Sequence, residues 1–513
     1  MVNVVSKRAE KSMSPRAPGL RPCIRLAIFV FLAAVSSSCT RPRASLPPAA
    51  VAPPAGDVEA LIERGCFHCL EQALARAEDR RQTPLAFEAA VLLALRATEL
   101  GMPSEEWIAR ARTYADGNSE RTEYLEMATA VQPDPLRGLR DDLLVETQTR
   151  NRIQQRLASV VSWYDVLQNG AHSDAFRRYL ELTLICAVDR RPERFERLDA
   201  LTPRLPDVSL LNYRVGACDD RYRSRLRSLQ TAIPEFVDAD YALGRYALRD
   251  PESPNQDEAM RRLRSAAAAF PTSTAIPTTI GNLYQSWEDW PNALAAFDQA
   301  LALLPSHPDA RLGRVVSLSN LDRHDEAIAS ATDLIDAGRW HLGQAFYWRA
   351  WNYFSIGNNQ AARVDADRTR TLMVNPAVFL LSGLIEWRLL RRETAETEFQ
   401  EALKMDFGQC EAAFYLGGVR AELRKLPEAL AAINQARQCY DLALAVRRKL
   451  FEDAMAKAVT PEARARESAR HERAIASVQK RRGEVLEAIE RLQMLQRDVR
   501  SGAPTSTPAP RGR

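Results

Sequence analysis

The 513-residue chain lacks an apolar run long enough to cross a bilayer. Its longest, Leu26 to Val35, is half of the about 20 residues that a spanning helix needs. Runs of β-branched residues are scarce while Ala, Leu, Arg and Glu dominate, which argues against a sheet and for helix throughout. An excess of charge of one sign is also missing. The formal net charge is +4, and residues 1–38 alone supply +5 through Lys7, Arg8, Lys11, Arg16, Arg21 and Arg25 against Glu10, so the remainder stands at −1. A nearly neutral body has no general attraction for a phosphate backbone, so no nucleic-acid partner is expected. Signatures of catalysis are absent too: there is no Gly-rich phosphate loop, nucleophile elbow or kinase-like set. His172, His307, His324, His341 and His471 are scattered outside any metalloprotease or phosphotransfer spacing. The expectation is therefore a chain that is not an enzyme, with no catalytic residue, cofactor or metal.

The amino terminus does carry information. A basic stretch ending at Arg25 leads into the ten apolar residues and then Ser36-Ser37-Ser38-Cys39, an order that suits a signal peptide over residues 1–38. The arrangement resembles a bacterial lipoprotein signal, which implies lipidation of Cys39 as the first residue after cleavage. Ser36 departs from the aliphatic residue that such signals prefer three places before the cysteine, and Met13 is an alternative start of translation. Thr40 is not the aspartate that retains such lipoproteins in the inner membrane, so the resemblance implies an outer-membrane lipoprotein facing the periplasm. A plain secretory signal, giving a soluble periplasmic protein, is the alternative. Residues 39–56 hold Pro47, Pro48, Pro53 and Pro54 among alanines and read as an anchor and semi-extended tether.

Further along, the sequence repeats itself. Ala259, Ala293, Ala327, Ala362, Ala395 and Ala429 follow one another at steps of 34, 34, 35, 33 and 34 residues. A second series of Ala247, Gly281, Val315, Ala350, Gly383 and Gly417 precedes them. In the best-formed unit, Gly281 and Tyr284 are followed by Ala293, Phe297, Ala300 and Pro305. Small residues let two helices approach, aromatics fill the seam, and proline ends the second helix. This spacing resembles the tetratricopeptide repeat, which implies six helical hairpins over residues 237–440. The fold class expected is all-α, an α-solenoid of such hairpins with a C-terminal capping helix. Val315 stands where the others have a small residue, which makes its repeat the most degenerate.

Residues 57–236 show helical periodicity cut by Gly101, Pro103, Pro133, Pro135, Gly170, Pro192 and Pro203, and read as degenerate hairpins of the same superhelix. In residues 441–500, Val478, Val485, Ile489, Leu492 and Val499 keep a helical rhythm that suits a helical cap shielding the last repeat, with a dimerising coiled coil as the other reading. Residues 501–513 are rich in Pro, Ser and Thr and are expected to be disordered.

Setting aside Cys23 and Cys39, six cysteines remain, an even number that suits an oxidising compartment. Cys410 and Cys439 fall at ends of the last hairpin that antiparallel packing brings together, and Cys186 with Cys218 has a similar separation. Disulfides at these two pairs stand beside burial as free thiols. Cys66-Phe67-His68-Cys69 offers a local disulfide or, alternatively, a periplasmic redox or metal-binding site. That alternative lacks a βαβ setting, a His directly after the second cysteine for haem attachment, and a fourth zinc ligand.

In stacked hairpins the first helices line a concave surface. The free positions there are Asn282, then Tyr347, Trp351 and Phe354, then Leu384 and Trp387, then Phe414, rich in the side chains that anchor partners. The other reading makes them packing between neighbouring hairpins. The carboxylate-clamp variety of the family needs Lys and Asn on this face, and only Asn282 matches it. The expected function is a protein-protein interaction scaffold, lipid-anchored in the bacterial envelope, whose groove takes an extended or helical apolar segment of a protein or peptide partner.

Overall fold

The structure, a computed structural model, describes residues 57–130, 163–249 and 255–501 apart from positions 169, 171, 189–192, 339 and 459. The expected signal peptide, lipidation site Cys39 and tether, and the tail beyond Ser501, lie outside the described residues. Every regular element among the described residues is helical, and consecutive helices pack as antiparallel neighbours in an α-solenoid.

Six hairpins form the array. Their first helices are Asp238–Arg249, Ala275–Ser286, Pro308–Asn320, Leu342–Ser355, Pro376–Arg388 and Cys410–Glu422. The partners are Gln256–Ala269, Trp290–Leu303, His324–Asp336, Asn359–Leu372, Arg392–Met405 and Leu426–Lys457. Local chemistry starts several of them: Asn255, Asp289, Asn358 and Asn375 each accept a backbone N–H three residues on, which satisfies one of the orphan donors of a helix start.

The seam is built by matched volumes. A side chain at Gly281 would strike the Phe297 ring, one at Gly383 the Phe399 ring, and one at Gly417 the Ile433 side chain. The third hairpin inverts the pair. Val315 packs there in one cluster with Ala331, the residue that corresponds to Phe297. Bulk has moved from one helix to the other, so its departure in sequence conserves the filled volume of the seam. Phe297 also touches Gly313 of the following hairpin, which ties one repeat to the next.

Residues 58–129 are not stacked on their sequence neighbours alone. The helix Thr83–Leu100 ends at Gly101 (φ 68°), whose carbonyl accepts from Thr274 N at 2.8 Å. A Cβ at Gly101 would meet Ala275, so this position needs glycine for both its left-handed backbone and its close approach. Phe67 N donates to Asp238 at 3.0 Å, and the core is continuous from Val58 to Trp287.

Beyond the array, the last second helix continues to Lys457. No Gly or Pro interrupts it after Pro427, so nothing ends it where the repeat pattern would. The chain then reverses into the 41-residue helix Pro461–Ser501. Val478, Val485 and Leu492, at heptad spacing, pack on Ala413, Ile433, Ala436 and Tyr440 of the last hairpin. Nearer its start, Arg466 pairs with Asp257 at 2.7 Å and lies 4.5 Å over the Trp287 ring. One helix therefore bridges the last hairpin and the first two.

Among the described residues, three disulfides join Cys66 to Cys69, Cys186 to Cys218 and Cys410 to Cys439. Cys410 and Cys439 link the two helices of the last hairpin, while Cys186 and Cys218 join segments on either side of the helix Arg194–Leu201, with Cα–Cα separations of 5.3 and 5.4 Å.

Candidate partner-binding groove

Tyr347, Trp351 and Phe354 are spaced by four and three residues on Leu342–Ser355, so they share one helical face. Leu380, Leu384 and Trp387 repeat that spacing on Pro376–Arg388. The two faces meet in a single apolar cluster, in which Phe354 and Leu384 are buried and Tyr347, Trp351, Leu380 and Trp387 are half-buried.

Neighbouring contacts fix the rings. Trp387 packs edge-on against Tyr415 with centroids 5.7 Å apart, and its indole N–H donates to Glu422 Oε1 at 3.1 Å. Gly418 leaves the room that Trp387 occupies, since a Cβ there would come within 3.3 Å of its ring. Trp351 lies 6.3 Å from Phe354, over whose ring Arg388 sits at 4.9 Å. Burial pushes the Tyr347 hydroxyl up to about 12, and the negative charge of Glu411 adds to the shift.

The other two sequence candidates stand apart. Asn282 is exposed on Ala275–Ser286. Phe414 belongs to the cluster around Val478, Val485 and Leu492, where the C-terminal helix packs against it. Glu411 and Arg481, which face each other at 3.9 Å, were not singled out by sequence reasoning. Burial raises the Glu411 carboxyl above its ordinary value against the opposing pull of Arg481. Their 70-residue separation leaves no spacing signal.

The Cys66–Cys69 constellation does not converge. Cys66 and Cys69 are buried, while His68 is exposed and bonds Glu71 and Gln72 on its own helix. Cys66 serves as the cap of Phe67–Asp79, its sulfur accepting from Cys69 N. Among the described residues no group of three His, Cys, Asp or Glu side chains is placed to hold a metal ion.

The six hairpins are tetratricopeptide-like in spacing and packing. No family model matches the chain, and no curated protein matches it. Among solved structures, the chain is similar to a tetratricopeptide repeat protein from Parabacteroides merdae, at 17% identity over 52% of this chain and 99% of that one, with a TM-score of 0.31. It is also similar to PilW, described as a widely conserved type IV pilus biogenesis factor, at 18% identity over 44% of this chain and 95% of that one, with a TM-score of 0.33. A third is YrrB, described as a TPR protein with an unusual peptide-binding site, at 20% identity over 34% of this chain and 91% of that one, with a TM-score of 0.29.

Proposed function

We propose that the protein is an interaction scaffold of the bacterial envelope, held to the outer membrane by lipid on Cys39, which binds an apolar partner segment along Tyr347, Trp351, Phe354, Leu384 and Trp387. The observation that carries this reading is the gathering of large rings from two consecutive first helices, with Tyr347, Trp351 and Trp387 left half-buried. Rings in that state have area still to bury and little rotamer freedom to lose, which is what makes an anchor for a partner. The three disulfides support an oxidising compartment, where such bonds persist. No described helix is long and apolar enough to cross a membrane.

Partner capture by affinity purification from the native envelope, identified by mass spectrometry, tests the groove. Trp351→Ala and Trp387→Ala are expected to weaken capture by about 2 kcal/mol, the size of an interface hot spot, with near-native helicity. Loss of cooperative unfolding by about 3 to 5 kcal/mol with capture of the remaining folded protein unchanged would instead make the rings packing alone. For the anchor, Cys39→Ala is expected to abolish acyl labelling and move the protein from the membrane fraction to the soluble one. Identical fractionation of variant and wild type would overturn the lipid attachment.

A further inference from the structure

The bridge made by the C-terminal helix creates a cavity away from the groove. Asp257, Met260, Arg261 and Arg264 lie along one face of Gln256–Ala269, Tyr284 and Trp287 close the adjoining hairpin, and Arg466 comes from Pro461–Ser501. Together they line about 390 Å³, within the range of small-ligand sites. Its floor is apolar, because Met260 and Trp287 are buried. Trp287 is held by its indole N–H, which donates to Gln256 Oε1, and by an edge contact with Tyr284 at 5.5 Å.

The walls are basic, and the acids around them are already engaged. Asp257, the one acid in the lining, pairs with Arg466 at 2.7 Å. Glu258 just outside takes Arg261 at 2.6 Å and Arg262 beside it. Arg264 donates to the Tyr284 hydroxyl at 3.2 Å and has no carboxylate within salt-bridge distance among the described residues. Arg261 is held by Glu258, and Arg466 by Asp257 with Glu467 at 3.5 Å, so Arg264 is the guanidinium of the lining left to receive an anion. Its planar N–H donors fit a carboxylate, and the adjacent rings fit an apolar side chain.

We infer that this cavity is a second binding site, for a protein segment carrying an acidic side chain next to an aromatic one. The carboxylate meets Arg264, with Arg261 and Arg466 flanking it, and the ring packs on Met260, Tyr284 and Trp287. The site is composite, since Arg466 is supplied by the C-terminal helix. It does not depend on the groove reading.

The test uses the full-length protein and a fluorescein-labelled six-residue peptide of alternating Asp and Phe with blocked ends, followed by fluorescence anisotropy. The Asp peptide is expected to bind at low salt and to weaken as salt rises. An Asn-Phe counterpart should bind at least about tenfold more weakly, as should the Asp peptide to Arg264→Gln, the loss typical of one charge-assisted hydrogen bond. Arg264 is exposed, so circular dichroism of Arg264→Gln should match the wild type. Trp351→Ala should bind the peptide as the wild type does, which separates this site from the groove. Equal binding of the Asp and Asn peptides, no binding of either, or an Arg264→Gln variant with wild-type affinity would each overturn the inference. Complete displacement of the Asp peptide by inorganic phosphate at equimolar concentration would also overturn it, by marking a simple anion site.

Discussion

Asp238→Ala is expected to lower the free energy of unfolding by about 3 to 5 kcal/mol, the loss usual when one partner of a buried ion pair is removed. Asp238 is 2% exposed and pairs with Arg96, which is 0% exposed. Arg96 lies 3.3 Å over the Tyr213 ring. Burial works against its charge, yet Tyr213, Asp238, Tyr179 and Glu99 around it raise its pKa above the ordinary arginine value. The guanidinium therefore stays charged in the folded state and needs its counter-ion. Asp238 has a second duty, accepting from Phe67 N at the start of Phe67–Asp79, so its loss also frees the first turn of that helix. Urea unfolding should show a lower midpoint with an unchanged slope. The pair Arg96→Met with Asp238→Asn should cost less than the single Asp238→Ala, because no uncompensated charge remains. A loss below about 1 kcal/mol for Asp238→Ala would mean that Glu99, whose carboxylate lies 3.9 Å from Arg96 Nε, suffices as counter-ion.

That pair also marks where sequence pattern stops informing. The array was legible because each hairpin repeats one local problem, the close approach of two helices, and its solution recurs at every step. Val315 looked like decay of the pattern only because the compensating Ala331 sits on the opposite helix. The shared face of Tyr347, Trp351 and Phe354 follows from helical spacing, and its register with Leu384 and Trp387 follows from the repeat. Contacts outside the repeat leave no such trace. Asp238 reaches Phe67 and Arg96 across 171 and 142 residues, and Arg466 reaches Asp257 across 209. A charged residue near a helix end looks the same in sequence whether water or a distant arginine faces it. Phe414 shows the consequence for the site: it has the right place on its helix, yet a segment some 70 residues later packs against it.

Val485→Asp is the sharpest expected disruption of the C-terminal bridge. Val485 is 0% exposed, midway between Val478 and Leu492 in the seam with Ile433, Ala436 and Tyr440. Burying one such aliphatic side chain is worth about 1.5 to 3 kcal/mol. An aspartate there adds the cost of an unpaired carboxylate, so the helix Pro461–Ser501 should detach rather than accommodate it. Because each hairpin of a solenoid leans mainly on its neighbours, the damage should be graded. Hydrogen exchange is expected to rise throughout 461–501 and in Cys410–Glu422 and Leu426–Lys457, while the hairpins from Pro308 to Met405 keep their protection. Exposed Phe414, Ile433 and Tyr440 should bind a hydrophobic dye. The clamp at the far end should fail as well: Arg466 would leave Trp287, and with it the basic wall of the 390 Å³ cavity. Loss of the Asp-Phe peptide signal in Val485→Asp, more than 15 residues from Arg466 along the helix, would tie cap and cavity into one mechanical unit. Unchanged exchange in Cys410–Glu422 would show instead that the last hairpin stands without its cover, and the C-terminal helix would then be a separate arm laid on a finished solenoid.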